Sequence, residues 1–431
     1  MRPGLAASEE TMEIRFLGGA REVGRSAILV KSKGGARILL DYGVKIDPSN
    51  EVQFPMHVSP KDLDAVVLTH AHLDHSGAIP MLFISSSPRL IATEATYRQS
   101  EYLLRDMLKL NGDRLFFGEV EVRKALGKGE RVDFNEPVRI KDVEIELIDA
   151  GHIPGSAQVV LNSDKTLLYT GDFNTVRTRL MEGAEVPSGG FDVVITESTY
   201  AREDHAPRKE LERALVEELK GTVENGGTAL VPAFSVSRSQ EVAMILRAYN
   251  FQHEVYMDGM AKELTTLYLE MEEFVDGIQL LGQAAKRVRF VKGRRMRERI
   301  LGEPAVVISP AGMLQGGPAV YYARSVADRD DSSITFVSFQ VPGTPGEAVL
   351  SRRVLEADGE VVNVRSRVTQ IRLSGHAGRK ELHEYLRKTA EGAKVFAVHG
   401  EPESCAELAR WAREELGVEA VDPELGSVYE V

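Results

Sequence analysis

Thr69-His70-Ala71-His72-Leu73-Asp74-His75 sets three imidazoles and a carboxylate within a few residues of one another. Neutral imidazole and carboxylate are the donors that bind zinc-like cations. The cluster directly follows Asp64–Thr69 (DAVVLT), an apolar run of the kind buried on both faces of a parallel sheet. If the extended geometry persists past the strand, the side chains of residues 70 and 72 point the same way. Residues 74 and 75 are then free to turn toward a second site. A single buried histidine is commonly a core residue with a local hydrogen bond, but His-X-His-X-Asp-His is too dense for that reading.

Outward from this cluster, the other histidines fall into the same kind of context. Of ten in the chain, His70, His72, His75, His152, His376 and His399 sit in short turn motifs at strand ends. His57, His205, His253 and His383 do not, and are expected at the surface or in local hydrogen bonds. His152 lies in Ala150-Gly151-His152-Ile153-Pro154-Gly155-Ser156, whose glycines can bring the ring into a crowded site. Asp172 follows a strand in Tyr169-Thr170-Gly171-Asp172, and Asp41 ends another in Leu39-Leu40-Asp41-Tyr42-Gly43.

The composition frames these motifs. The chain has 431 residues, 43% hydrophobic and 27% charged, with a formal charge of −12. This is the balance of a large globular chain of two or three domains, and it excludes disorder, collagen-like repeats and a disulfide scaffold. Cys405 is the one cysteine, which favours a reducing, cytoplasmic setting. No apolar run approaches the ~20 residues of a membrane span, so no membrane partner is expected. Residues 1–11 lack the apolar core of a signal peptide and read as a flexible leader. The net negative charge argues against a protein that coats nucleic acid over its whole surface, yet a local basic groove remains open. Lys286, Arg287, Arg289, Lys292, Arg294, Arg295, Arg297 and Arg299 form one basic stretch, either a solvated helix face or a track for a polyanion.

Three regions follow from the rhythm of the sequence. Strand-rich text runs to about 199. Helices and strands alternate over 200–351, as in an α/β domain with a parallel sheet. Strand-rich text returns over 352–431, where the apolar end Val428–Val431 can supply a further strand. A helix is expected from about Ser76, another over Ala261–Val275 and another over Pro402–Leu416.

Asp41, the His70–His75 cluster, His152 and Asp172 together resemble the metallo-β-lactamase superfamily in type, order and spacing. Ile195-Thr196-Glu197-Ser198-Thr199-Tyr200, then Ser374-Gly375-His376-Ala377-Gly378, then Val398-His399-Gly400-Glu401 narrow the resemblance to its β-CASP nucleases. These include the cleavage and polyadenylation specificity factor endonucleases and RNase J; the likeness is nearest to short archaeal members without KH domains. The resemblance implies an α/β fold, an αββα sandwich over 12–199 and 352–431, with a β-CASP domain inserted at 200–351.

Carried over residue by residue, the resemblance implies two divalent ions, Zn2+ in the first place and Mn2+ as the second choice. His70, His72 and His152 would hold one. Asp74, His75 and His399 would hold the other. Asp172 would bridge them, and Asp41 would orient a ligand imidazole from behind. Two such ions activate water to hydroxide, and His376, supported by Glu197, would protonate the departing ribose oxygen. Ser235, Ser237 and Arg238 at a predicted helix start, and the turn carrying Gly312, Gly316 and Gly317, are candidate phosphate contacts. The implied activity is hydrolysis of single-stranded RNA, internally, from the 5′ end, or both, by a chain that can form a homodimer. Two other classes compete. A thioester or lactam hydrolase on the same core would survive His376→Ala, and a non-catalytic RNA-binding subunit would bind RNA in chelator without ever cutting it.

Overall fold

The computed structural model describes residues 11–357 and 359–431. All but the last residue of the expected leader lies outside that range. Two seven-stranded sheets form the first layer pair. One runs in the order Val428–Glu430, Glu13–Gly18, Ala27–Lys31, Arg37–Leu40, Ala65–Val67, Arg89–Ala92, Glu130–Arg131. The other runs Ala420–Val421, Lys394–Val398, Val193–Glu197, Thr166–Tyr169, Ala157–Asn162, Val143–Asp149, Val138–Ile140.

Alternation along the strands fixes how these sheets pack. Ile14, Phe16, Ile28, Val30, Ile38 and Val67 face Ile145, Leu147, Val159, Leu161, Ile195 and Phe396 across one apolar core. The outer face of the first sheet packs on Glu94–Asn111 and Glu119–Gly127 through Leu90, Tyr97, Leu104 and Val122. The outer face of the second packs on Arg379–Thr389 and Pro402–Trp411 through Leu168, Val194, Leu386 and Leu408. This is the expected αββα sandwich.

The inserted part carries a six-stranded sheet in the order Arg289–Phe290, Val255–Met257, Ala305–Ser309, Thr228–Pro232, Ser333–Phe336, Arg367–Gln370. Every pairing in it is parallel. The inserted sheet thus draws one strand from beyond the expected boundary at 352. Arg367–Gln370 hydrogen-bonds to Ser333–Phe336, and the hairpin of Val354–Ala357 and Glu360–Asn363 packs Leu355 and Val362 into the insertion's core. The chain rejoins the sandwich only after this sheet is complete. In an open parallel sheet, ligands gather at the carboxyl ends of the strands. Here those ends release the segments bearing Arg238, Gly312 and His376.

Several expected elements are corrected. Leu73–Ser76 is a short helix followed by a 3-10 turn, Ile79–Phe83, because Pro80 interrupts the predicted longer helix. The helix Ala261–Leu269 ends early, with a separate 3-10 turn at Glu272–Phe274. Pro402–Trp411 gives way to a wider turn over Ala412–Leu416. The strand expected at the C-terminal end does form: Val428–Glu430 pairs with Glu13–Gly18 of its own chain.

Candidate metal centre

The strand Ala65–Val67 stops before the histidine cluster, so His70 and His72 do not share a face by strand geometry. A tight turn into Leu73–Ser76 brings them together instead. His70 presents Nε2 and His72 presents Nδ1, 3.2 Å apart, and His152 Nε2 lies 3.1 Å from the same His72 atom. Asp172 Oδ2 stands 3.5 Å from His70 Nε2 and 3.9 Å from His152 Nε2. On the other side of the same carboxylate, Oδ1 is 3.3 Å from His75 Nε2 and 3.6 Å from His399 Nε2, and Asp74 Oδ2 is 3.6 Å from that His399 atom. The two groupings expected from the sequence are brought together, with Asp172 between them.

The backs of the rings decide which nitrogen carries the proton. His152 Nδ1 meets the Gly375 carbonyl at 2.7 Å, and a carbonyl can only accept. His75 Nδ1 meets Asp41 Oδ2 at 2.7 Å. His70 Nδ1 meets Thr69 Oγ1 at 3.1 Å, while that hydroxyl donates to Asp41 Oδ2. All three rings therefore carry hydrogen on Nδ1 and turn the Nε2 lone pair inward. His399 Nδ1 lies 2.8 Å from Ser26 Oγ. The centre is a cluster of acceptors with nothing to accept from, and His75 Nε2 and Asp172 Oδ1 are buried with no hydrogen-bond partner. Edges of 3.1–3.9 Å match the ~3.4 Å edge of a tetrahedron with bonds near 2.1 Å. This donor set fits divalent cations.

The electrostatics agree for His70, His72 and His152, whereas His75 holds a proton on Nε2 that a cation would have to displace. Burial holds His70 and His152 well below the usual imidazole range and His72 at about 4, so these rings are neutral ligands near pH 7. Burial acts in the same sense on His75 but is outweighed by Asp172 and Asp41, which raise it. Desolvation would raise Asp172; His399, His75 and His376 overcome it and keep the carboxyl ionised.

Asp41 sits at φ 57°, a conformation a non-glycine residue adopts only under constraint. The constraint is visible. Its carboxylate accepts from the Thr69 amide, the Thr69 hydroxyl, His75 Nδ1 and the Tyr169 hydroxyl, all between 2.7 and 2.9 Å. Gly43 beside it is obligatory, because a Cβ there would lie 1.8 Å from the Asp74 carbonyl oxygen.

Glu197, at the end of Val193–Glu197, holds His376 Nδ1 with both oxygens at 3.1 Å and accepts from the Phe173 amide at 2.9 Å. His376 is 4.0 Å from Asp172 Oδ2 and its other nitrogen is not committed. Burial lowers its pKa, but Glu197 and Asp172 more than reverse this and bring it to about 9.

The phosphate candidates separate. Arg238 is buried against the site. A Cβ on Gly375 would stand 2.6 Å from Arg238 Nη2 and 3.4 Å from His152 Nδ1, so the glycine is what lets both reach the centre. The Arg238 guanidinium has no hydrogen-bond or ion-pair partner among the described residues, and burial, with Arg208 nearby, lowers its pKa to about 10. Ser235 and Ser237 flank it, but the expected helix-start amides are already used. Ser237 N donates to the Tyr268 hydroxyl, Arg238 N to the Val236 carbonyl and Ser239 N to the Phe234 carbonyl. Gly312 packs beside Ala233 and Phe234. Gly316 and Gly317 open the helix Gly317–Val326, where Pro318 removes one amide. The basic stretch is partly neutralised: Arg289 pairs with Glu254, Arg294 with Glu298 and Arg297 with Asp258.

Some wall residues escaped the sequence reading. Gly375 carried a signal, its place in Ser374-Gly375-His376. Tyr200 carried one too, at the end of the motif that begins at Ile195, whereas Ser26 and His205 carried none. His205 Nε2 meets the His376 carbonyl at 3.1 Å, and the Tyr200 ring lies 6.0 Å from the His376 ring.

This fold and donor set define a metallo-hydrolase of the αββα class. Family profiles match along the chain: the metallo-beta-lactamase superfamily over residues 20–219, the Beta-Casp domain over 239–349 and the Zn-dependent metallo-hydrolase RNA specificity domain over 361–423. The chain is 38% identical to RNase aCSPSF2 of Saccharolobus solfataricus, over 98% of this chain and 86% of that protein. It is 35% identical to a probable RNase of Methanocaldococcus jannaschii, over 96% and 99% of the two chains. It is 34% identical to a ribonuclease of Thermus thermophilus, over 93% and 95%. A solved structure from Enterococcus faecalis V583, described as a protein of unknown function, superposes with a TM-score of 0.61 over 98% of this chain and 100% of that one, at 14% identity, a likeness of fold alone. The chain belongs to the metallo-β-lactamase β-CASP ribonucleases and is a metal-dependent ribonuclease. No helix among the described residues is long and apolar enough to cross a membrane.

Proposed function

We propose that this ribonuclease hydrolyses single-stranded RNA at a two-cation centre, expelling the 3′ oxygen of the ribose and leaving a 5′ phosphate on the other product. The observation that carries this is the ring of inward lone pairs on both sides of Asp172. His70, His72 and His152 would hold one cation, Asp74, His75 and His399 the other, with a carboxylate oxygen of Asp172 for each. Zn2+ suits the imidazole-rich set and Mn2+ is the second choice. When bound, such a pair supplies Lewis-acid chemistry, lowering the pKa of water and neutralising phosphate charge.

The chain's own groups do the rest. Asp41 locks His75, and through Thr69 His70, in the tautomer that binds. Arg238 offers an unshared guanidinium to a phosphate oxygen, with Ser235 and Ser237 beside it and Gly312 allowing the close approach. His376 has Nδ1 fixed on Glu197, so Nε2 is free to deliver a proton to the departing oxygen. Glu197 and His376 speak against a thioester or lactam hydrolase, which has no ribose oxygen to protonate. The full donor set speaks against a non-catalytic subunit. The buried free thiol of Cys405 is consistent with the cytoplasm, and Val428–Glu430 at a sheet edge could pair with its copy in a homodimer.

Uniformly labelled and 5′-end-labelled copies of one RNA, with a 5′ monophosphate or a 5′ hydroxyl, test the reading. The expected result is cleavage by the wild type, abolished by chelator and by Asp74→Ala. Internal fragments from both 5′ ends would mark endonuclease action, and mononucleotides only from the monophosphate would mark exonuclease action. RNA bound but uncut under every metal would overturn the proposal.

A further inference from the structure

Adjacent parallel strands end at the active-site cleft, Thr228–Pro232 and Ser333–Phe336, and each releases an exposed phenylalanine shortly beyond its end. Phe234 is 40% exposed and Phe339 37% exposed. A single exposed apolar side chain is ordinary, but two on neighbouring segments at the edge of a polar, charged centre make a small apolar patch where a ligand can rest. The two segments are close: a Cβ on Gly312 would lie 3.3 Å from the Phe234 amide nitrogen and 3.4 Å from the Ser338 hydroxyl, the residue before Phe339.

Phe339 is also tied to the catalytic wall. Its ring centroid is 6.4 Å from Tyr200, nearly perpendicular to it at 84°, and Tyr200 in turn is 6.0 Å from His376. Arg372 lies over the Phe339 ring, 5.5 Å from its centroid, and is anchored by Glu203. The ring is thus held against Tyr200 and under a cation, and about a third of the residue stays exposed. A braced aromatic ring with an open surface is what a nucleobase stacks on, and such stacking tolerates any base.

We propose that Phe339, with Phe234 beside it, is the base platform for the nucleotide on the 5′ side of the cut. The side follows from the reading above, on which this inference rests. His376 serves the departing 3′ oxygen, that oxygen belongs to the upstream nucleotide, and Tyr200 and Phe339 continue outward from His376. Arg238 and the cations then grip phosphate while Phe339 grips the base, a division of labour that favours a flexible single strand over a duplex whose bases are already stacked.

The test uses the metal-loaded full chain and an RNA whose cleavage site has been mapped. A single abasic ribose is moved position by position across that site. For the wild type, loss of the base just 5′ of the cut should raise KM about tenfold, and loss of the base just 3′ should change it less. Phe339→Ala should raise KM on intact RNA by a similar factor and should no longer respond to the abasic position. Phe339→Tyr should keep the response, whereas Phe339→Leu, apolar but without a π face, should lose it. Melting curves of the variants exclude misfolding. If the wild type cuts RNA while Phe339→Ala keeps the wild-type KM and the wild-type abasic response, the platform is wrong and the ribonuclease reading stands. If the wild type cuts no RNA, both fail.

Discussion

Asp41 shows how much one residue can carry. Three donors, the Thr69 hydroxyl, His75 Nδ1 and the Tyr169 hydroxyl, converge on its Oδ2, and the Thr69 amide binds Oδ1. Asparagine preserves the shape but must turn its NH2 either on three donors or on one. Outer partners of metal-binding histidines are typically worth 10–100-fold in metal affinity. Asp41→Asn should therefore weaken metal binding by about that factor, as read by competition with a chromogenic chelator, and unchanged affinity would show that His75 needs no such support. At this scale the sequence was readable where chemistry is dense. The His70–His75 cluster, His152, Asp172 and His399 announced themselves as a metal centre. The pairing of Arg289 and Arg297 with Glu254 and Asp258 was not readable, because the acids lie more than thirty residues away and nothing local points to them. Phe234 and Phe339 were equally silent, since lone aromatics are ordinary core residues until the fold leaves them exposed.

Among the elements, the joint between the lobes rests on buried charge. Glu241, on Arg238–Ala248, accepts from the amides of Arg179 and Leu180 in the sandwich lobe and pairs with Arg208. Glu212, on Arg208–Glu224, takes the Arg179 guanidinium at 2.6 Å. Because Arg238 begins the same helix as Glu241, the network that fixes the lobes also fixes the proposed phosphate contact. Removing one member of a buried pair strands its partners and costs about 3 kcal/mol or more. Glu241→Ala should lower the thermal midpoint by several degrees and raise KM for RNA; a change in neither would mean the joint is held by apolar packing alone. Apolar runs were legible at this level, such as the strand Ala65–Val67 within Asp64–Thr69 and the C-terminal strand Val428–Glu430. Edge strands of two residues, Glu130–Arg131 and Ala420–Val421, were not, being too short to show a period. The sheet that Arg367–Gln370 joins was not legible either, because it alternates like a sandwich strand and only its partner reveals where it belongs.

For the molecule as a whole, the net charge is −12, and three of the eight cations of the basic stretch are already paired with acids. A single strand held through about three phosphates should give a slope near −2 in a plot of log affinity against log salt. Anisotropy titrations of Asp74→Ala with labelled RNA would measure it, and a slope near −5 would return the stretch from Lys286 to Arg299 to the RNA path. The central claim concerns the cations themselves. Crystals grown with Zn2+ and measured across the zinc absorption edge should show two anomalous peaks per chain, one among His70, His72 and His152 and one among Asp74, His75 and His399, with the Asp172 carboxylate between them. A single peak, or none, at saturating metal would contradict the account.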